Sequence, residues 1–86
     1  MKNYLPLGSV VTLKNGNKRI MIYGRRQVMA STGEIFDYVA CFYPEGNISP
    51  DYTFLFNEED IEKIHFKGFD DEENKNFVND VLDKLK

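Results

Sequence analysis

The spacing of apolar positions divides this 86-residue chain into a β-rich body and a helical end. Ser9-Val10-Val11-Thr12-Leu13 and Lys18-Arg19-Ile20-Met21-Ile22-Tyr23 are two strand-like runs on either side of Lys14-Asn15-Gly16-Asn17. Asn-Gly between such runs predicts a hairpin with a type I′ turn, in which both central residues need positive φ. That turn sets Val11 against Ile20, Val10 against Met21 and Thr12 against Arg19. Pro6 and Gly8 mark the start of the first strand. Gly24-Arg25-Arg26-Gln27 interrupts the pattern, Val28-Met29-Ala30 reads as a short extension of the sheet, and Ser31-Thr32-Gly33-Glu34 as a turn. Ile35 to Tyr43 is β-rich, with Phe36, Tyr38, Ala40 and Phe42 on one face and Val39 and Cys41 on the other, the pattern of a central strand buried on both sides. Pro44-Glu45-Gly46 ends it, and a polar loop runs on to Asp51. Tyr52 to Phe56 is a fourth strand. Asn57 then caps a single helical turn through Glu58, Glu59 and Asp60, whose acids sit at its positive end. Ile61 to Phe66 forms the last strand, with Ile64 and Phe66 facing inward.

Beyond the Gly68-Phe69 corner the period becomes helical. Phe77, Val78, Val81, Leu82 and Leu85 form one apolar stripe. Asp70 or Asp71 caps this helix, Glu72 and Glu73 suit its first turn, and Lys84 and Lys86 suit its last. A helix of about 15 residues is marginal alone in water, so the stripe must dock, either on the sheet body or on a partner. The predicted fold is α+β: a small, partly open five-stranded SH3-like barrel over about 5–67, with a C-terminal amphipathic helix over about 70–86. A single domain spans 1–86.

Composition narrows the class. Hydrophobic residues at 42% and charged residues at 29% fit a globular chain and exclude a disordered tail or a collagen-like one. Seven Phe and five Tyr supply large rings to a small core. No uncharged stretch approaches the roughly 20 residues of a membrane span, and no signal-peptide core follows Met1. The lone Cys41 cannot form an internal disulfide, which fits a reducing, cytoplasmic setting. The net charge of −3 divides unevenly: residues 1–33 carry six bases and no acid, and the rest carry five bases and fourteen acids. The two halves can pair with each other, or a basic patch can meet an acidic partner beside an acidic face that meets a basic one. A nucleic-acid binder would be basic overall, so no nucleic acid is expected as a partner.

Little in the chain points to catalysis. His65 is the single histidine, and no second His or Cys pair completes a metal site. The acids at Glu58-Glu59-Asp60-Glu62 lack the spacing and central glycine of a calcium loop. Cys41 lies between Ala40 and Phe42 as a buried structural thiol. No nucleophile elbow, dinucleotide fingerprint or phosphate loop is present. The expectation is a protein without enzymatic activity, cofactor or metal. Two features qualify as partner-binding candidates: Arg25 and Arg26, adjacent guanidinium groups after a strand, and Tyr43-Pro44-Glu45-Gly46, a turn carrying an aromatic beside a long loop.

Leu5-Pro6-Leu7-Gly8-Ser9-Val10-Val11, Leu13-Lys14-Asn15-Gly16 and Met21-Ile22-Tyr23-Gly24-Arg25 resemble the opening of a family of small bacterial proteins. Asp37-Tyr38-Val39, Tyr43-Pro44-Glu45-Gly46, Phe56-Asn57-Glu58-Glu59-Asp60-Ile61 and Phe66-Lys67-Gly68-Phe69 resemble its middle and end. The likeness covers roughly residues 5–73, and the Tyr-Pro-Glu-Gly and Phe-Asn-x-x-Asp-Ile segments are its most specific parts. The family is a domain-of-unknown-function group encoded beside LXG toxins of the type VII secretion system in Gram-positive bacteria. The resemblance implies a cytoplasmic adaptor or targeting chaperone that binds the secreted LXG-type toxin, and possibly small helical secretion partners, with no membrane segment. The alternative is a stand-alone SH3-like module for a peptide or an acidic ligand, unrelated to secretion.

Overall fold

The computed structural model describes residues 4–84. The two runs around Asn15-Gly16 form β1 (Val10–Leu13) and β2 (Ile20–Val28), antiparallel, with Val10 opposite Met21 and Val11 opposite Ile20 as expected. The turn between them is not type I′. Asn15 alone takes positive φ, at 67°, and the Gly16 N–H donates to the Leu13 carbonyl at 3.0 Å. A positive φ at the third residue of a four-residue turn is the type II pattern. The loop extends over residues 14–19, so Asn-Gly does not have to close the hairpin by itself. Pairing with β2 therefore stops at Val11 and Ile20, so the expected Thr12–Arg19 pair is not formed, and on its other side Thr12 lies opposite Lys63 of the last strand.

β2 continues through Gly24-Arg25-Arg26-Gln27 instead of breaking there. Ile22 pairs with Ala40 and Gly24 with Val39, which leaves Tyr23 as an extra, bulged residue. The bulge shifts the two-residue period, so a continuous strand reads in sequence as an interruption. Gly24 is required next to it, because a Cβ would lie 2.6 Å from Val39 Cγ1. Met29 and Ala30 belong to the turn into β3 (Ile35–Phe42) rather than to a strand. That turn is closed by Gly33, at φ 76°, whose N–H donates to the Met29 carbonyl at 2.7 Å. β4 is shorter than expected, Phe54–Phe56, because Pro50–Tyr52 forms a 3₁₀ turn capped by the Ser49 side chain. A second 3₁₀ turn, Glu58–Asp60, follows Asn57 as expected and leads into β5 (Ile61–Phe66).

The five strands form one open antiparallel sheet in the order β4-β3-β2-β1-β5. β3 lies between two partners, and Tyr38, Val39, Ala40 and Cys41 are all buried, as a strand covered on both faces requires. The core comprises Leu5, Val11, Ile20, Ile22, Tyr38, Ala40 and Phe56, against which Phe42, Phe54 and Ile61 pack. Full burial of an aliphatic side chain such as Ile22 contributes about 1.5–3 kcal/mol.

Neither Ile64 nor Phe66 is covered as a core residue would be: they are 46% and 62% exposed. Val11 pairs with Ile64 but Val10 with Phe66, so His65 is a bulged residue and alternation is lost after Ile64. Ile64 keeps the inner register on an edge strand with little to cover it, and Phe66 turns to the outer face beside Val10.

The helix α1 spans Glu72–Asp80, followed by a 3₁₀ turn at Leu82–Lys84, and is thus shorter than the expected 70–86. Asp71 caps it, accepting the Asn74 N–H at 3.0 Å. Val78 and Leu82 are buried, whereas Phe77 and Val81 stay partly exposed. Leu85 and Lys86 lie outside the described residues. The helix meets the sheet where the Arg25 guanidinium sits 5.6 Å above the Phe77 ring. Among the described residues no helix is long and apolar enough to cross a membrane.

Candidate binding groove on the outer face of the sheet

The register that buries one face of β1 and β2 sends Val10 and Met21 to the other, side by side. The His65 bulge adds Phe66 on the far side of Val10. Three apolar side chains from three adjacent strands thus form the floor of an open groove of about 570 Å³, completed by Gly8, Arg19, Tyr43 and His65. Gly8 enters β1 at φ 89°, a left-handed value that suits glycine, and its N–H donates to the Ile22 carbonyl at 2.8 Å. Tyr43 is held at the opposite rim by its N–H, which donates to the Arg19 carbonyl at 3.0 Å.

The polar rim has its own supports. Lys18 Nζ donates to the Tyr43 carbonyl at 2.8 Å and to both Glu45 carboxylate oxygens, at 2.8 and 3.1 Å. It also lies 5.5 Å from the Phe42 ring centroid. The Lys18 hydrogen bond holds the Glu45 carboxyl below its ordinary range. Gly46, at φ 83°, closes the turn by donating to the Phe42 carbonyl at 2.8 Å. His65 Nε2 lies 3.3 Å from Thr12 Oγ1. Loss of solvation and then the charges of Arg19 and Lys63 push its imidazole below the ordinary value. A second hollow, lined by Thr12, Asn17, Lys18, Arg19, Tyr43, Pro44 and His65, continues the groove around the turn.

The six residues singled out in the sequence do not converge. Tyr43 lines the groove and Pro44 its continuation, while Glu45 and Gly46 fix their turn. Arg25 and Arg26 lie within β2 rather than after a strand, and about 20 Å of strand separates them from Arg19. Arg25 Nη1 donates to the Leu5 carbonyl at 3.3 Å, and burial lowers its pKa against the opposing pull of Tyr38 and Asp70. Arg26 has a left-handed backbone, φ 47°. Arg19, Met21, His65 and Phe66 were not among the sequence candidates. The Val10–Met21 pairing in the predicted hairpin was a usable signal for Met21; Phe66 carried none, because the bulge reverses its face.

The signature segments of the sequence meet inside the fold. Leu5 N–H donates to the Tyr38 hydroxyl at 2.9 Å, and that hydroxyl donates in turn to Glu58. Glu58 N–H donates to Asp37 Oδ2 at 2.9 Å, and Asp37 N–H to Asn57 Oδ1 at 3.1 Å. Asp60 closes the 3₁₀ turn by accepting the Asn57 N–H at 2.9 Å. Ser9 Oγ donates to the Pro6 carbonyl at 2.7 Å and accepts the Gly68 N–H at 3.0 Å. No group of three or more His, Cys, Asp or Glu side chains among the described residues is placed to hold a metal ion.

Sheet, helix and groove define a small α+β protein whose outer sheet face can hold an apolar group beside a cation. The profile of DUF4176, a domain of unknown function, matches residues 4–77, and the chain belongs to that family. No curated protein and no solved structure matches it.

Proposed function

We propose that this protein is a non-enzymatic cytoplasmic adaptor or targeting chaperone that binds an LXG-type toxin and assists its type VII secretion. The observation that carries the reading is the open groove, which offers Phe66, Tyr43 and Met21 to a partner rather than enclosing a small substrate. Aromatic side chains at the centre of a surface and cations at its rim are the usual make-up of an interface. The choice of partner rests on the resemblance of Tyr43-Pro44-Glu45-Gly46 and of Phe56 to Ile61 to proteins encoded beside LXG toxins. In this reading Tyr43 and Pro44 touch the partner and Glu45 and Gly46 hold their turn, whereas Arg25 and Arg26 lie away from the groove.

The experiment is purification of a tagged copy from its native host. The LXG toxin should co-elute through its helical domain; a toxin found wholly in the unbound fraction, with the tagged protein folded, contradicts the adaptor role. A specific observation favours a second reading, an SH3-like ligand-binding module unrelated to secretion. Its support is the strand order β4-β3-β2-β1-β5 in one open antiparallel sheet, with a 3₁₀ turn directly before β5. Peptide binding without toxin co-elution would select it.

A further inference from the structure

We infer that the outer groove takes an acidic amphipathic segment of a partner protein, with an apolar side chain on the Val10–Met21–Phe66 floor and a carboxylate at Arg19. This rests on reading the chain as a binding protein, and it does not require the partner to be a toxin. Neighbouring strands lie about 4.8 Å apart, so the floor is a strip about 10 Å wide. At about 570 Å³ the groove has room for one or two large side chains. Phe66 at 62% exposure is not an isolated surface ring, because Tyr43 at the opposite rim is also exposed. Covering both removes apolar area from water, the term that dominates association.

The charge of the segment follows from the rim. Arg19 is exposed and lines both hollows, and the field of Lys63 joins that of Arg19 at His65. Glu45, the carboxylate of the adjoining turn, is occupied by Lys18 through both oxygens, so it does not neutralise Arg19. A carboxylate brought beside Arg19 gains a forked, charge-assisted hydrogen bond. A basic segment would meet repulsion from Arg19 and Lys63.

The test is selection from a random peptide display library on the folded protein, followed by anisotropy titration of the enriched peptides. Wild type is compared with Arg19→Glu, Phe66→Ser and, as a control away from the groove, Arg26→Glu. Enriched sequences should join a large apolar residue to Asp or Glu. Arg19→Glu and Phe66→Ser should each weaken binding about tenfold or more, Arg26→Glu should not, and added salt should weaken wild type more than Arg19→Glu. Circular dichroism checks that each variant is folded. No enrichment, basic or uncharged sequences, or affinity unchanged by the two groove variants would overturn the inference. So would sedimentation showing a dimer that both groove variants abolish, since a second copy would then be the occupant. If the toxin co-elutes with both groove variants, this inference fails and the adaptor role stands. If acidic peptides bind the groove and the toxin does not co-elute, the reverse holds.

Discussion

Tyr38 joins three segments through one hydroxyl, and its environment makes the bond conditional on pH. Burial first, and then the hydrogen bond to Glu58, push the phenol above its ordinary value of about 10. A folded-state pKa above the unfolded one means that the native state favours the protonated phenol. That stabilisation is complete below about pH 10 and is lost as pH rises through the folded value. Tyr38→Phe leaves the Leu5 N–H without its acceptor and should cost about 1–3 kcal/mol near neutral pH. In urea titrations the gap between wild type and variant should narrow above about pH 10; a gap that stays constant would mean that the hydroxyl does not sense its buried setting. Gly68 is a second such position. A Cβ there would run into the Leu7 carbonyl oxygen, which is backbone and cannot swing aside. Gly68→Ala should destabilise by about 2 kcal/mol or more, read as a lower urea midpoint, whereas an unchanged midpoint would show that the Leu7–Ser9 segment can move away. The Leu5 to Ser9 and Phe66 to Phe69 signatures therefore have a structural reason, since they pack against each other.

The elements were legible wherever the chain keeps a regular period. The β1–β2 register, the burial of β3 on both faces, the 3₁₀ turn after Asn57 and the bounds of β5 follow from apolar alternation and cap chemistry. The faces that were misassigned were tied to bulges. Tyr23 in β2 and His65 in β5 each add one residue, and each reverses the face of the residues after it. A bulge depends on the partner strand, so no local pattern announces it. The hairpin turn misled for a related reason: Asn-Gly suits a two-residue loop, and this loop is longer. The observed geometry changes the expected effect of substitutions there. Gly16→Ala should stay within about 0.5 kcal/mol of wild type, as an ordinary surface change does, because the nearest atom to an added Cβ, Leu13 O, is 3.6 Å away. Asn15→Val should cost about 1–2 kcal/mol, because a β-branched residue resists the left-handed φ. Thermal melts of the two variants distinguish the turns, since type I′ would penalise a side chain at Gly16 as well. In α1, Asp71→Ala should cost about 1 kcal/mol through loss of the N-cap. An unchanged melt would mean that docking alone holds the helix.

At the scale of the whole molecule, the proposed binding surface is assembled from parts that are far apart in the chain. Gly8, Val10, Arg19, Met21, Tyr43, His65 and Phe66 come together only because β1 lies between β2 and β5 and the chain leaves β3 beside Arg19. Tyr43 and Pro44 were readable as candidates because an aromatic next to a Pro-Gly turn stands out locally. Phe66 was hidden because it looked like core, and Arg19 because one arginine in a basic stretch looks like any other. The uneven charge of the two halves has a partial structural answer, since Lys18 from the basic half holds Glu45 from the acidic half. Arg19 keeps its charge on the groove rim. A partner is therefore expected to dock in the outer groove rather than at the Arg25 end of β2. The most direct measurement is an amide chemical-shift titration of the isotope-labelled protein with the helical domain of the LXG-type toxin. Shifts should concentrate at Val10, Arg19, Met21, Tyr43, His65 and Phe66, with Arg25, Arg26 and Phe77 little changed. Shifts centred on Arg25, Arg26 and α1, or no shifts at saturating toxin domain, would contradict docking in the groove.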